Sequence, residues 1–96
     1  MGIQELIGKQ KEQILAIAAK HGAYNVRVFG SVAQGTADES SDVDFLVELE
    51  DGRSLFDLGG LLMDLQNLLH REVDVLTEQG LHWYIRDKVL NEAKPL

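Results

Sequence analysis

The segment 42–48 alternates between two kinds of side chain, and this pattern limits the fold more than any other part of the sequence. Val43, Phe45 and Val47 are apolar, whereas Asp42 and Asp44 are acidic. Successive side chains of an extended strand point to opposite faces, so one face enters a core while the other carries two carboxylates about 7 Å apart. The chain therefore needs a sheet that is packed on one side and acidic on the other.

A third acid repeats this arrangement in a second predicted strand at 72–76. Asp74 lies between Val73 and Val75 and points away from the core that they enter. If the two strands are neighbours, three carboxylates converge, and like charges at this range destabilise each other unless a cation, a proton or water intervenes. The alternative is that each acid lies on a solvated strand face. We favour convergence because all three acids face away from apolar neighbours.

Oxygen ligands without His or Cys favour Mg²⁺ or Mn²⁺ over zinc, and magnesium keeps sites for water or phosphate oxygens. Two such ions about 3.5 to 4 Å apart can stabilise the attacking and the leaving oxygen of a displacement at phosphorus. Asp42, Asp44 and Asp74 are thus predicted metal ligands and catalytic residues.

Gly30 and Ser31 follow a predicted strand from Tyr24 to Phe29. A glycine lets a ligand approach the backbone closely, and the following amides and hydroxyl can donate hydrogen bonds to phosphate oxygens. The alternative is a simple turn that ends the strand. The acids that follow favour a nucleotide-binding turn.

Helical spacing of apolar residues predicts an opening helix that ends at His21-Gly22, with the apolar positions Ile3, Leu6, Ile7, Ile14, Ile17 and Ala18. Ser54 and Asp57 resemble a capping box before a leucine-rich helix over 55–69. Gly59 and Gly60 inside that helix indicate either close packing against the sheet or a break. A last helix is predicted over 81–92, where we expect Trp83 and Tyr84 to pack on the sheet.

These elements predict one α+β domain over residues 1–96, with a small mixed or antiparallel sheet, helices packed on one face and the acids exposed on the other. A domain of this size has no second wall around a nucleotide. We therefore expect a shallow site that a partner chain or a homo-oligomer completes.

Composition narrows the classes of function. The chain is 45% hydrophobic and 26% charged, as is usual for globular domains, and its formal charge of -7 argues against a broad nucleic-acid surface. The first helix is too polar for a signal peptide or a membrane span, so a cytoplasmic protein without a membrane partner is expected.

The run VFGSVAQGTADESSDVDFLVEL, from Val28 to Leu49, resembles the signature of the DNA polymerase beta-like nucleotidyltransferase superfamily, in which Asp-hydrophobic-Asp follows a Gly-Ser. The later run REVDVLT is similar to the strand that carries the third carboxylate of that family. Length and element order resemble the minimal nucleotidyltransferases, which often act as antitoxins beside a small helical HEPN-type toxin.

The resemblance implies that Asp42 and Asp44 bind two Mg²⁺ ions, that Asp74 completes the site on the acceptor side, and that Gly30 and Ser31 hold the triphosphate of ATP or another nucleotide. It also implies transfer of a nucleoside monophosphate, with AMP from ATP as our choice, onto a hydroxyl of a partner protein.

Two alternatives to this enzyme stay open. Many minimal members have arginine where this chain has Gln34, and the loss of that cation favours a binding module that neutralises its partner by contact alone. A nucleotide sensor would bind with magnesium and release no pyrophosphate.

Overall fold

The strand predicted from the alternation lies inside the sheet of the computed structural model, which describes residues 3–38 and 40–96, with Ile3, Gln4 and Leu6 described by their backbone only. The helices are α1 (Ile3–Lys9), α2 (Lys11–Lys20), α3 (Gly30–Gln34), α4 (Leu55–Leu69) and α5 (Trp83–Glu92). The strands are β1 (Ala23–Phe29), β2 (Val43–Leu49), β3 (Val73–Thr77) and β4 (Lys94–Pro95).

The sheet is mixed, with the strand order β3-β2-β1-β4. β1 is antiparallel to both β2 and β4, whereas β2 and β3 are parallel and connected through α4. The predicted α+β class and mixed sheet are confirmed. The two-residue β4 was not predicted, because a strand of that length has no readable alternation.

The core lies between the sheet and the helices α2 and α4. Val43, Phe45 and Val47 of β2 are fully or almost fully buried there, together with Ile14 of α2 and Leu65 of α4. α5 lies on the opposite face, where a second cluster joins Leu46, Leu81 and Val89 and packs against Phe29. The acidic face is therefore open at the Asp44 end and covered by α5 beyond it.

The predicted opening helix is two helices in the structure, separated at Gln10. A continuous amphipathic helix would need apolar side chains three and four positions after Ile7. Gln10 and Lys11 occupy those positions, so nothing apolar anchors the connection. The side chains of Ile3 and Leu6, two of the predicted apolar positions, lie outside the described residues.

α4 begins with the predicted capping box, because the Ser54 N–H donates to Asp57 Oδ2 at 2.9 Å while Ser54 Oγ accepts from the Phe56 N–H at 3.2 Å. The helix continues through both glycines. A Cβ at Gly60 would lie 2.8 Å from His21 Cε1, whereas one at Gly59 would meet nothing within 4 Å. Close packing is thus the reason for Gly60, and its neighbour is the imidazole that follows α2.

The prediction that Trp83 and Tyr84 pack on the sheet is wrong, since 80% and 74% of their surfaces are exposed. The apolar positions of α5 that face the sheet are instead supplied by Val89 and its neighbour Leu90. In the described part of the chain, no helix is both long and apolar enough to span a bilayer.

Candidate active site

Asp44 and Asp74 lie side by side on neighbouring strands. The parallel pairing of β2 and β3 places Asp44 opposite Asp74 in register, so both side chains project from the same face. Asp44 is half-buried and Asp74 is exposed. Burial first, and then the negative charge and hydrogen bonding of Asp74, raise the pKa of Asp44 to about 6. The pair is therefore an electrostatically strained arrangement that a cation would relieve.

Asp42 lies two residues before Asp44, outside the strand, and its side chain is exposed. Its charge also raises the pKa of Asp44, although less than burial and Asp74 do. Asp42 and Asp74 thus both lie within electrostatic range of Asp44.

Gly30 lies beside the carboxylate of Asp44 as well. It follows β1, which pairs with β2 on the side opposite to β3. The antiparallel pairing of β1 and β2 puts Phe29 opposite Asp44, so the next residue turns over the carboxylate. Gly30 has a φ of +67°, and a Cβ there would lie 2.5 Å from Asp44 Oδ2. Both the backbone conformation and the close approach require glycine. Ser31 follows it as the next residue of α3 and is half-buried.

The loop before Asp42 is held by a small hydrogen-bond network that sequence reasoning missed. Asp38 Oδ1 accepts from the N–H of Ser40 at 2.9 Å and from its hydroxyl at 2.8 Å. Ser41 Oγ accepts from the Asp38 N–H at 2.9 Å. The hydrogen bonds from Ser40 lower the pKa of Asp38. The composition Asp-x-Ser-Ser is a signal for such a turn, which sets the approach of the chain to Asp42.

Arg71 was also missed. It precedes β3, and its Nη1 donates to the carbonyl of Ser41 at 3.4 Å. This contact joins the loop before β2 to the start of β3, and it places a guanidinium at the end of the sheet where the acids lie.

Arg27 shares a sheet face with Asp44 but forms its ion pair with Glu78. Its Nη2 lies 3.2 Å from Glu78 Oε2, and its Nε donates to the carbonyl of Asn25 at 3.0 Å. Because Arg27 is only 9% exposed, this ion pair is buried rather than on the surface. Contact with Arg27 holds the pKa of Glu78 below its usual value. Arg27 therefore has a structural partner at the far end of β3.

Within residues 3–38 and 40–96, no three His, Cys, Asp or Glu side chains are arranged to hold a metal ion by themselves. Asp44 and Asp74 offer oxygen donors only, which suits magnesium. A cation between them would offset the charge of Asp74 that raises the pKa of Asp44. A nucleotide would have to supply the other oxygen ligands.

A cleft of about 330 Å³ lies at the opposite end of the strands, and Asp44 and Asp74 do not line it. Its wall includes Glu48, Glu50, Asp51 and Glu78, against which only Arg53 supplies a positive charge. A triphosphate would need a cation in this cleft as much as at Asp44 and Asp74. The two places differ because the turn of Gly30 and Ser31 lies beside Asp44 and does not line the cleft.

Comparison with known proteins identifies the family of the chain. Residues 10–96 match the family of the nucleotidyltransferase domain. A protein of Methanocaldococcus jannaschii, provisionally named a protein adenylyltransferase, is 44% identical over 91% of this chain and 94% of its own length. The protein adenylyltransferase MntA of Thermococcus cleftensis is 33% identical over 95% of this chain and 89% of its own length.

Solved structures show the same fold. A structure described as a minimal nucleotidyltransferase superposes with a TM-score of 0.88 at 47% identity, and the match covers 100% of this chain and 97% of the other. A toxin-antitoxin complex solved with AMP-PNP superposes with a TM-score of 0.76 at 22% identity, over 88% of this chain and 70% of the other.

The chain therefore belongs to the nucleotidyltransferase domain family and is a nucleotidyltransferase. It is similar over its full length to the structure described as a minimal nucleotidyltransferase.

Proposed function

We propose that this chain transfers AMP from ATP onto a hydroxyl of a partner protein, with Asp42, Asp44 and Asp74 as catalytic and metal-binding residues. The observation that carries the proposal is the convergence of Gly30, Asp44 and Asp74, which β1, β2 and β3 bring together from three separate parts of the sequence.

The reaction is a displacement at the α-phosphorus. The acceptor oxygen forms a bond to that phosphorus, the bond to the bridging oxygen breaks, and pyrophosphate leaves. The acceptor hydroxyl must lose its proton, and Asp74, the more exposed acid of the pair, is placed to receive it. Gly30 and Ser31 hold the triphosphate through backbone N–H groups and a hydroxyl. They do so next to Asp44, whose carboxylate occupies the space that a Cβ at Gly30 would fill.

Magnesium is the metal that this donor set fits. Asp42, Asp44 and Asp74 would hold it, with phosphate oxygens completing the shell, and two ions are expected when ATP is present. Bound magnesium would offset the charge of the triphosphate and of the leaving pyrophosphate. The fold holds the carboxylates together before the nucleotide binds. The repulsion between Asp44 and Asp74 opposes this arrangement.

The partner is proposed to be a toxin. The relative MntA is named a protein adenylyltransferase. Structural neighbours at 23% identity or below are described as toxin-antitoxin complexes, two of them of MntA with HpeT. A helical HEPN-type toxin that this chain modifies as its antitoxin is consistent with these names. A site as shallow as the sequence predicts would also favour a partner that supplies a second wall.

The alternative is a module that neutralises its partner by contact. Gln34 favours it, because this exposed position at the end of α3 carries no charge. A separate reading, nucleotide sensing, predicts binding without pyrophosphate release.

The test is transfer of label from ATP to the proteins of a native lysate that contains the partner, with magnesium, by wild type and Asp44→Asn. Label at the α-phosphate and label at the γ-phosphate are compared. A band that requires both α-label and Asp44 supports the enzyme. Neutralisation of the partner by Asp44→Asn without any labelled band would replace the enzyme with the contact module.

A further inference from the structure

A groove of about 270 Å³ opens at the β4 edge of the sheet, on the face opposite to the carboxylates. Its floor is apolar and combines Ile7 of α1, Val28 of β1, Val32 of α3 and the terminal residues Pro95 and Leu96. Val28 adjoins Phe29 in the strand and so points away from Asp44. The proposed reaction uses none of these residues.

Two lysines line this groove. Lys11 at the start of α2 and Lys94 in β4 both border the apolar floor, and both side chains are exposed. Neither ammonium has an ion-pair partner within the described ranges 3–38 and 40–96. The whole chain has 16 acidic and only 9 basic residues. The two unpaired lysines therefore place positive charge beside the apolar groove, although the chain as a whole is negatively charged.

The positive charge of the two lysines and the apolar floor together determine which ligand the groove favours. An apolar side chain would be removed from water by the floor, and carboxylates beside it would be attracted to Lys11 and Lys94. Elsewhere the negative surface would repel the same acidic ligand. Among the strands of the described residues, β4 is at the edge of the sheet and pairs with β1 alone, so an added chain could pair with its other side.

We propose that this groove docks an acidic segment of a partner protein, with an apolar anchor on the floor and carboxylates at Lys11 and Lys94. Val32 follows Ser31 directly in α3, so a protein held here lies beside the turn that holds the triphosphate. The link between docking and modification rests on the proposed function. The docking itself does not.

The test uses amide NMR of the whole chain without nucleotide or magnesium, so a failure of the proposed enzyme leaves the result interpretable. The probe is a synthetic peptide with two leucines four positions apart and glutamates between them, and the matched probe has lysines in place of the glutamates. The glutamate peptide should shift the amides of Lys11, Val32 and Leu96. The double variant Lys11→Glu/Lys94→Glu should weaken its binding at least about tenfold.

The control variant Lys20→Glu/Lys88→Glu makes the same change in net charge at exposed positions outside the groove, and should leave binding unchanged. No shift with the glutamate peptide, equal binding of both peptides, or shifts at another surface would overturn the proposal. Decanoate is the third probe. Tighter binding of decanoate than of the peptide at the same amides would replace the protein segment with a small apolar anion.

Discussion

The absent side chain of Gly30 leaves the space in which the carboxylate of Asp44 lies, since a Cβ at Gly30 would be 2.5 Å from Asp44 Oδ2. The two residues are 14 positions apart by their numbering (44 less 30) and meet because Phe29 pairs with Asp44 across β1 and β2. The turn that ends β1 is thus adapted to the acid on the neighbouring strand.

Gly30→Ala should lose transfer activity because the methyl group displaces Asp44. Gly52→Ala is the matched control, since Gly52 also has a positive φ, of +87°, but a Cβ there meets nothing within 4 Å. Each variant should lose about 1 kcal/mol of unfolding free energy from backbone strain. Urea unfolding and label transfer are measured for both. Full activity in Gly30→Ala, or an equal loss of activity in Gly52→Ala, would contradict the close fit at Asp44.

Asp44→Asn should stabilise the metal-free domain at pH 7 while it abolishes transfer. Burial and Asp74 raise the pKa of Asp44 to about 6, so the charged form is destabilising in the fold. A shift of this size corresponds to about 3 kcal/mol in full, and solvent screening of this partly exposed group reduces the expected gain to about 1 kcal/mol. Thermal unfolding in EDTA should show a higher midpoint for Asp44→Asn, by about 4–8 °C.

The raised pKa of Asp44 also determines whether the stability of the fold rises or falls with pH. Between about pH 6 and the unfolded pKa near 3.8, the folded state binds more protons at Asp44 than the unfolded state does. Wild type should therefore gain stability relative to Asp44→Asn as the pH falls from 7 to 5. Asp51→Asn, in an exposed turn, is the control and should track wild type. A difference that is constant over this range would rule out a raised pKa at Asp44.

Gly59→Ala and Gly60→Ala should differ in sign or size although they are neighbours in α4. Alanine stabilises a helix interior by about 1 kcal/mol relative to glycine, and Gly59 has room for the methyl group. At Gly60 the methyl group would displace the imidazole of His21, whose Nε2 lies 2.7 Å from Asp64 Oδ2. Chemical denaturation should show Gly59→Ala as the more stable variant. Equal gains would mean that His21 moves without cost.

Glu78→Gln should destabilise the fold by about 2–3 kcal/mol, because it leaves the buried guanidinium of Arg27 without its counter-ion. Glu50→Gln breaks the exposed pair with Arg53 and should cost less than about 1 kcal/mol. Because the pKa of Glu78 is lowered in the fold, its contribution is present above the unfolded pKa and is lost as the pH falls through the folded pKa. Equal costs for the two variants would contradict the structural role of Arg27.

The sheet face on which the acids lie could be predicted from the sequence, because side-chain alternation with a period of two is a local signal. Val43, Phe45 and Val47 identify the buried face of β2, and Asp44 follows on the other face from geometry alone. The predicted capping box of α4 depends likewise on residues three positions apart. Such features need no knowledge of tertiary contacts.

The remaining features depend on contacts between distant residues. Arg71 acts on Ser41 across a separation of 30 positions, and Gly60 accommodates His21 across 39 positions by their numbering (60 less 21). No period or motif reports such pairs. Trp83 is exposed although it is apolar, because Val89 and Leu90 supply the face of α5 that meets the sheet. Helix propensity predicts that α5 forms, but it does not predict which face of the helix is buried.

Whether the nucleotide binds at the carboxylates is tested most directly by amide NMR. Spectra of the chain with a non-hydrolysable ATP analogue are recorded with and without magnesium. The site described here predicts magnesium-dependent shifts at Gly30, Ser31, Asp44 and Asp74, and loss of binding in Asp74→Asn. Binding that needs no magnesium, or shifts confined to the cleft beside Glu48 and Gln79, would contradict the assignment of the nucleotide to the carboxylate site.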